Sequence, residues 1–277
     1  MTRGALARIL IVLAAVLALP SCGGGSGSGF IAGIGGTGIT ASGTITGFGS
    51  IFVNGVEYQL GNSTVTINDT GSTVSALKLG MVVKVTGLLN SDGKTATATS
   101  VVYDADLKGP IVATPVLQSN GDKSFQVLGT TVYVQPVATV FDSSQFPNFS
   151  FDTIAKDDLV EISGFYDANG RLYASRIKKV GIAGPSTAVE VKGTVSGYSG
   201  NSGNSFSVDG LTVQITGTTD LSQLTNAIAD GANVEVKGTV TSPTATTITA
   251  TTVLPEEPTF GTDVSEASVE GIVTDYN

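Results

Sequence analysis

The chain has 277 residues, enough for one large domain or several small ones, and its formal net charge is −9. An acidic chain repels a phosphate backbone, so we expect no nucleic-acid partner. The sequence contains no histidine and a single cysteine, which excludes an internal disulfide and a histidine-dependent catalytic triad, and leaves zinc without its preferred ligands.

The first predicted element is a signal peptide over residues 1–21. Arg3 and Arg8 precede the apolar run ILIVLAAVLAL, residues 9–19, which has about the length of a signal-peptide core and is too short to span a bilayer comfortably. Such a segment is removed from the mature protein, so we expect it to take no part in the fold.

The tetrapeptide LPSC, which ends at Cys22, resembles the lipobox of bacterial lipoproteins. The resemblance implies that Cys22 is lipidated and becomes the first residue after cleavage. Lipoproteins kept in the inner membrane commonly carry Asp after the cysteine, whereas Gly23 follows here, so the resemblance implies the outer membrane, on either its periplasmic or its surface face. Residues 22–36 are rich in Gly and Ser and are expected to form a flexible tether.

The hexapeptide GIGGTG fits the dinucleotide-binding pattern G-x-G-x-x-G through Gly33, Gly35 and Gly38. That motif needs a strand before its glycines and a helix after them. Here a Gly/Ser tether comes before, and the β-branched, glycine-rich segment ITASGTITGFGS comes after. We interpret GIGGTG as a linker and expect no cofactor.

The remainder of the chain repeats three times. Within each copy, a predicted hairpin turn is followed by a V-x-V-x-G strand with alternating apolar residues, one face buried and the other wet. Asn54-Gly55 and Asp209-Gly210 are strong signals for two-residue turns. The glycines that align the copies are Gly55, Gly129 and Gly210 in the turns, and Gly87, Gly164 and Gly238 in the V-x-V-x-G strands.

A spacer separates the two halves of each copy, and in the third copy it reads TDLSQLTNAIADG. Thr219 or Asp220 can cap a helix there, and Gly231 can end it. Its apolar residues fall on one helical face: Leu221, Leu224 and Ile228. We therefore expect an all-β fold of tandem, small, five-stranded OB-like barrels, each with a short helix or turn between strands three and four.

The repeats set the expected domain boundaries. We predict modules at 37–103, 105–180 and 189–254. Residues 255–277 contain a proline-stiffened linker and then VEGIVTDYN, which matches the opening strand of a copy. We expect this segment to be the first strand of a truncated fourth repeat; the alternative is that it pairs with an exposed edge of another copy.

These features resemble bacterial lipoproteins with tandem copies of a small domain of unknown function. The resemblance rests on GIGGTGITASGTITGFGSIFVNGV after a lipobox and on the repeated V-x-V-x-G strand, and it covers nearly all of the mature chain. It implies an envelope location and a β-barrel fold, and it supplies no catalytic residues.

Two groups of residues are candidates for chemistry. Carboxylate pairs occur at Asp104/Asp106, Asp157/Asp158 and Glu256/Glu257, and we interpret them as solvated turn and linker residues rather than catalytic or metal-binding pairs. An aromatic and basic patch lies in the second copy: Phe165, Tyr166, Arg171, Tyr173 and Arg176. This patch is either an edge decorated with solvating charge or a surface that binds an acidic glycan or a partner protein.

The sequence therefore favours a lipid-anchored, non-enzymatic envelope protein of tandem β-modules with a binding or spacer role. Its expected partners are the membrane, through the lipid, and a glycan or envelope protein. The alternatives are a glycan- or oligomer-binding module acting through the second copy, and an enzyme that uses Asp/Glu or Ser/Lys.

Overall fold

A computed structural model of the chain describes residues 38–199, 204–224, 226–256, 264 and 266–273. All of them belong to one compact unit, Gly33–Asn277. The predicted signal peptide, the cysteine predicted to be lipidated and the tether lie outside the described residues, as do the first five residues of GIGGTG. Within the described part, no helix is both long and apolar enough to cross a lipid bilayer.

The described residues form β-strands and one turn of 3₁₀ helix, Val74–Ala76, so the expected all-β fold is confirmed. The strands of the first repeat are β1 (Gly38–Thr44), β2 (Ile51–Val53), β3 (Val56–Gln59), β4 (Thr64–Ile67), β5 (Thr70–Ser72), β6 (Val82–Leu89) and β7 (Thr95–Tyr103). Those of the second are β8 (Leu107–Pro110), β9 (Val116–Leu117), β10 (Lys123–Val127), β11 (Thr130–Val134), β12 (Val140–Asp142), β13 (Asp158–Tyr166) and β14 (Leu172–Ile182). The third repeat and the segment after it contain β15 (Thr187–Ser196), β16 (Ser205–Val208), β17 (Leu211–Gln214), β18 (Asn233–Val240), β19 (Thr247–Pro255) and β20 (Glu266–Val269).

The three repeats share one order of strand pairing. In the third repeat β15 pairs with β16, β16 with β17, β17 with β19 in parallel, β19 with β18, and β18 with β15 again, which makes a closed ring. The first two repeats have the same order of pairing. In them a single β-bridge, Gly47 to Phe52 in the first and Ile111 to Val127 in the second, takes the place of the pairing between β15 and β16. The predicted threefold repetition is therefore confirmed.

The repeats do not form three clear, separately closed barrels as expected, because one curled sheet continues from the second repeat into the third. The opening strands β8 and β15 pair antiparallel, with Lys108 opposite Glu190. This pairing joins the second and third repeats in a 12-stranded sheet, and their buried side chains form one hydrophobic cluster. The first repeat lies in an 8-stranded sheet and has a hydrophobic cluster of its own.

The V-x-V-x-G strands bury their apolar pairs as the alternation predicts, for example Val234 and Val236 in β18. The prediction that the opposite face is wet is wrong for Glu161 and Glu235, whose exposed fractions are 7% and 3%. A neighbouring repeat covers this face of β13, where Asn68 of the first repeat donates a hydrogen bond of 3.4 Å to Glu161.

The glycine of each V-x-V-x-G strand lies at a β-bulge. The register of β6, β13 and β18 shifts immediately before Gly87, Gly164 and Gly238. A Cβ atom at any of these glycines would come within 3.0 Å of the carbonyl oxygen of a residue on the paired strand. A bulge increases the local bend and twist of a strand, so these glycines allow each sheet to curl.

The predicted two-residue hairpin turns are confirmed, because Asn54 and Gly55 have φ angles of 51° and 80°, and Asp209 and Gly210 have φ angles of 48° and 82°. The second repeat has the same turn with Leu128 at φ 48°, a conformation that a leucine rarely adopts. Leu128 is 2% exposed, and its burial in the core offsets the strain of this backbone angle.

The prediction of a helix in the third spacer is wrong. The Asp220 N–H donates to the Thr251 carbonyl at 2.8 Å, and the Asp220 carbonyl accepts from the Val253 N–H at 3.0 Å, so this residue is held beside β19. The first two repeats have strands in the same place, since β4 pairs in parallel with β7 and β12 with β14. The predicted burial is nevertheless correct for Ile228, which is 6% exposed.

The segment after the third repeat pairs with the first repeat. Strand β20 runs parallel to β1, with Ser268 opposite Ala41. The Thr44 N–H donates to Glu270 Oε2 at 2.7 Å, and Asn54 Nδ2 donates to Ser268 Oγ at 3.1 Å. The paired strand, Glu266–Val269, precedes VEGIVTDYN except for Val269, so both expectations for VEGIVTDYN stay predictions.

We predict that Gly238→Ala destabilises the protein by about 1–3 kcal/mol, because the added methyl group must displace the backbone of β19. Gly217→Ala is the matched control in the same repeat, since Gly217 has open space around its Cβ position, and it should change stability by less than about 0.5 kcal/mol. Urea unfolding followed by circular dichroism measures both. Equal midpoints for the two variants would contradict the role of the bulge.

Candidate functional site

Three aromatic side chains form a row across the second repeat. Phe165 on β13 lies opposite Tyr173 on β14, and Tyr173 lies beside Tyr133 on β11. The rings of Tyr133 and Tyr173 stack, with centroids 5.1 Å apart and 12° between their planes. All three side chains are partly exposed, whereas the residues on either side of Tyr173 are buried, so the row faces away from the core. We call Phe165, Tyr173 and Tyr133 the aromatic row.

Arg171 borders the aromatic row. Its guanidinium lies 5.9 Å from the centroid of the Tyr133 ring, within reach of a cation–π contact. Its Nε donates to Asp167 Oδ2 at 2.6 Å, and this bond lowers the pKa of the Asp167 carboxyl below its usual value. The two groups therefore remain an ion pair at neutral pH, and Arg171 brings no uncompensated charge to the row.

Two of the five predicted patch residues lie elsewhere. The Tyr166 side chain packs against the core and its hydroxyl donates to the Asp106 carbonyl at 3.3 Å; burial raises the pKa of this hydroxyl. Arg176 is 2% exposed, forms an ion pair with Asp142 and is covered by Gly80 of the first repeat. Tyr166 and Arg176 therefore make contacts inside the protein and lie apart from the aromatic row.

No pattern in the sequence singles out Tyr133, which comes 40 residues before Tyr173. Only the parallel pairing of β11 with β14 brings the two tyrosines together. In all three copies the strand after the hairpin turn pairs in parallel with the last strand of the ring. This shared pairing is the feature from which the position of Tyr133 beside Tyr173 could be predicted.

The same three positions exist in every repeat, and their residues differ. Each row is defined by the residue after the bulge glycine, its partner on the last strand of the ring, and the residue beside that partner. In the first repeat these residues are Leu88, Thr97 and Gln59, and in the third they are Thr239, Thr249 and Gln214. The shared fold therefore does not require aromatic residues at these positions, and the aromatic row is a feature of the second repeat.

The carboxylate pairs are less solvated than predicted. Asp106 accepts a hydrogen bond of 2.9 Å from the Gly164 N–H, and burial raises the pKa of its carboxyl to about 6. Asp158 is 4% exposed and forms an ion pair with Lys179. The interpretation as solvated turn residues is wrong for these two, because both carboxylates bond to other residues of the second repeat.

A cleft of about 670 Å³ contains side chains of both charges: Asp104, Asp106, Lys84, Lys192 and Glu256. Lys192 lies 3.5 Å from Glu256, and Asp104 accepts a hydrogen bond of 3.0 Å from the Asp69 N–H. Glu257, the other member of the last predicted pair, lies outside the described residues. Among the residues that the structure describes, no group of three or more acidic or sulfur ligands is placed to hold a metal ion.

A buried charge cluster joins the first and third repeats. Lys237 forms an ion pair with Asp69 of the first repeat and lies 3.4 Å from Glu235 and 4.0 Å from Glu190. Burial, together with the neighbouring Glu235 carboxyl, raises the pKa of Glu190 from its usual 4.5 to about 9.

We predict that Glu190→Gln reduces the pH dependence of stability. A carboxyl whose pKa rises on folding stabilises the native state fully below about pH 4.5, and this contribution is lost as the pH rises towards 9. Urea midpoints measured from pH 5 to 9 should fall in the wild type and fall less in the variant. Asp152→Asn, at an exposed position, is the control and should follow the wild type; parallel curves for all three proteins would contradict the prediction.

A family model matches this chain three times in succession. A model described as a domain of unknown function (DUF5666) matches residues 36–102, 109–178 and 189–253. These ranges overlap closely with the three modules seen in the sequence and with the three rings of strands. The curated proteins include no match to this chain. Because the matches cover well over half of its length, the chain belongs to the DUF5666 family, as three tandem copies of the domain.

Proposed function

We propose that this protein is a lipid-anchored component of the bacterial outer membrane, and that its tandem β-modules act in a non-enzymatic binding or spacer role. The observation that carries the proposal is the threefold construction of one ring of strands behind a sequence that resembles a lipobox. A repeated scaffold supplies length and surface without a specialised pocket in each copy.

We propose further that each repeat is an OB-like barrel whose edge is opened to its neighbour. The closed order of pairings in the third repeat supports this assignment, since it contains five strands and one parallel pair. The bulge glycines support it as well, because a small barrel needs sharply bent strands.

The contacts between repeats support a spacer with fixed geometry. The Val82 N–H of the first repeat donates to Ser163 Oγ at 2.8 Å, and Ser175 Oγ donates to the Gly80 carbonyl at 2.7 Å. The edge pairing of β8 with β15 joins the second and third repeats through backbone hydrogen bonds. Such contacts limit the relative motion of modules that a flexible linker would allow.

The scarcity of histidine and cysteine in the sequence supports a non-enzymatic role. The 277 residues include no histidine, and the one cysteine is the residue that the proposal assigns to the lipid. The aromatic row favours a module that binds a ligand in addition to spacing, because exposed aromatic side chains are common in recognition surfaces.

The proposal predicts that Cys22→Ala moves the protein from the membrane fraction to the soluble fraction and abolishes labelling by radioactive palmitate, since the cysteine thiol is the attachment point of the acyl group. Ser26→Ala in the tether is the matched control and should remain in the membrane fraction with its label. Membrane association that is the same in wild type and Cys22→Ala would overturn the proposed anchor.

A further inference from the structure

We propose that the aromatic row of the second repeat is a binding site for a neutral glycan. This inference rests on the proposed function, because it names the ligand class of the binding role. The row is assigned from four observations: its fixed geometry, its exposed hydroxyl-bearing rings, the neutralised charge around it, and its replacement by other residues in the two sister repeats.

The geometry suits a ligand of linked, flat rings. The three side chains project from adjacent strands, which lie about 4.8 Å apart, so the row extends over roughly 10 Å. Their backbone is held by buried neighbours such as Leu172 and Ala174, and aromatic side chains lose little conformational entropy on binding. A row held in this way is organised before the ligand arrives.

The chemistry of the row suits sugars. Tyr133 and Tyr173 stack face to face, so the pair presents its weakly positive ring edges, which attract the oxygen atoms of a sugar. The hydroxyls of Tyr133 and Tyr173 can each donate and accept hydrogen bonds with sugar hydroxyls. Ser124, directly opposite Tyr133 on β10, adds a polar group at the margin of the row. A stable protein interface would instead need about 800 Å² of buried surface on each partner.

The charge around the row selects a neutral ligand over an acidic one. The basic residues that had suggested an acidic glycan each have a carboxylate partner, in the pairs Arg171–Asp167, Arg176–Asp142, Lys178–Glu161 and Lys179–Asp158. The chain as a whole is acidic, with a net charge of −9, and repels polyanions.

The sister repeats show that the row is not a structural necessity. Their equivalent positions carry Leu, Thr and Gln in one copy and Thr, Thr and Gln in the other, on the same pairings of strands. Cross-strand aromatic pairs also stabilise a sheet, so a test of the site needs a binding readout as well as a stability readout.

The experiment exchanges the rows of two repeats. One variant carries Phe165→Leu, Tyr173→Thr and Tyr133→Gln, which places the first repeat's residues in the second. A second variant carries Leu88→Phe, Thr97→Tyr and Gln59→Tyr, which copies the aromatic row into the first repeat. Full-length protein in a polyoxyethylene detergent, which contains no sugar, is titrated by calorimetry with cellohexaose and maltohexaose as neutral probes and with hexagalacturonate as the acidic probe.

We expect at least one neutral probe to bind the wild type with a stoichiometry of one. The first variant should lose at least tenfold in affinity while its circular dichroism spectrum is unchanged, and the second variant should bind two equivalents. Three results would each overturn the inference: neither neutral probe binds, the first variant binds as tightly as the wild type, or the acidic probe binds more tightly than both neutral ones.

The two proposals fail in different ways. Absence of glycan binding, with membrane association that still depends on Cys22, overturns the glycan site and leaves the anchored spacer in place. Glycan binding that depends on the aromatic row, with membrane association independent of Cys22, overturns the lipid anchor and supports the site.

Discussion

The close approach of two strands at the bulge glycines is the constraint on which the rest of the structure depends. At Gly87, Gly164 and Gly238 a carbonyl group of the paired strand occupies the space that a side chain would need. The strand can therefore bend there, the sheet can curl, and the last strand of the ring can meet the strand that follows the hairpin. Phe165 comes immediately after Gly164, so the same bend also sets the direction of the first member of the aromatic row.

Local patterns in the sequence predicted the parts of the fold that local physics determines. Alternating valines identified the buried strand faces, and Asn-Gly and Asp-Gly identified turns that need positive φ angles. The spacer was different, since Leu221, Leu224 and Ile228 fit a helical face and also fit an extended segment that packs on the core. Backbone hydrogen bonds from Asp220 to β19 decided between the two, and no pattern within the spacer encodes them.

The candidate site was predictable to the extent that it lies within one hairpin. Phe165, Arg171 and Tyr173 come together because β13 and β14 are consecutive strands. Tyr133 required knowledge of a parallel pairing between distant segments. Arg176 lies apart from the aromatic row, in a contact with the first repeat, and a contact between repeats leaves no periodic signal in either one. Sequence periodicity reports how a strand faces its own core and gives no information about a second layer outside it.

The edge pairing of the opening strands has a consequence for behaviour at a crowded surface. A free strand edge presents unpaired N–H and C=O groups that recruit strands from other molecules and so promote aggregation. In this chain β8 and β15 occupy each other's edges, and β20 covers four residues of β1. On the proposed lipid anchor, neighbouring molecules would meet at high effective concentration, and these internal pairings keep the opening strands of the repeats from joining intermolecular sheets.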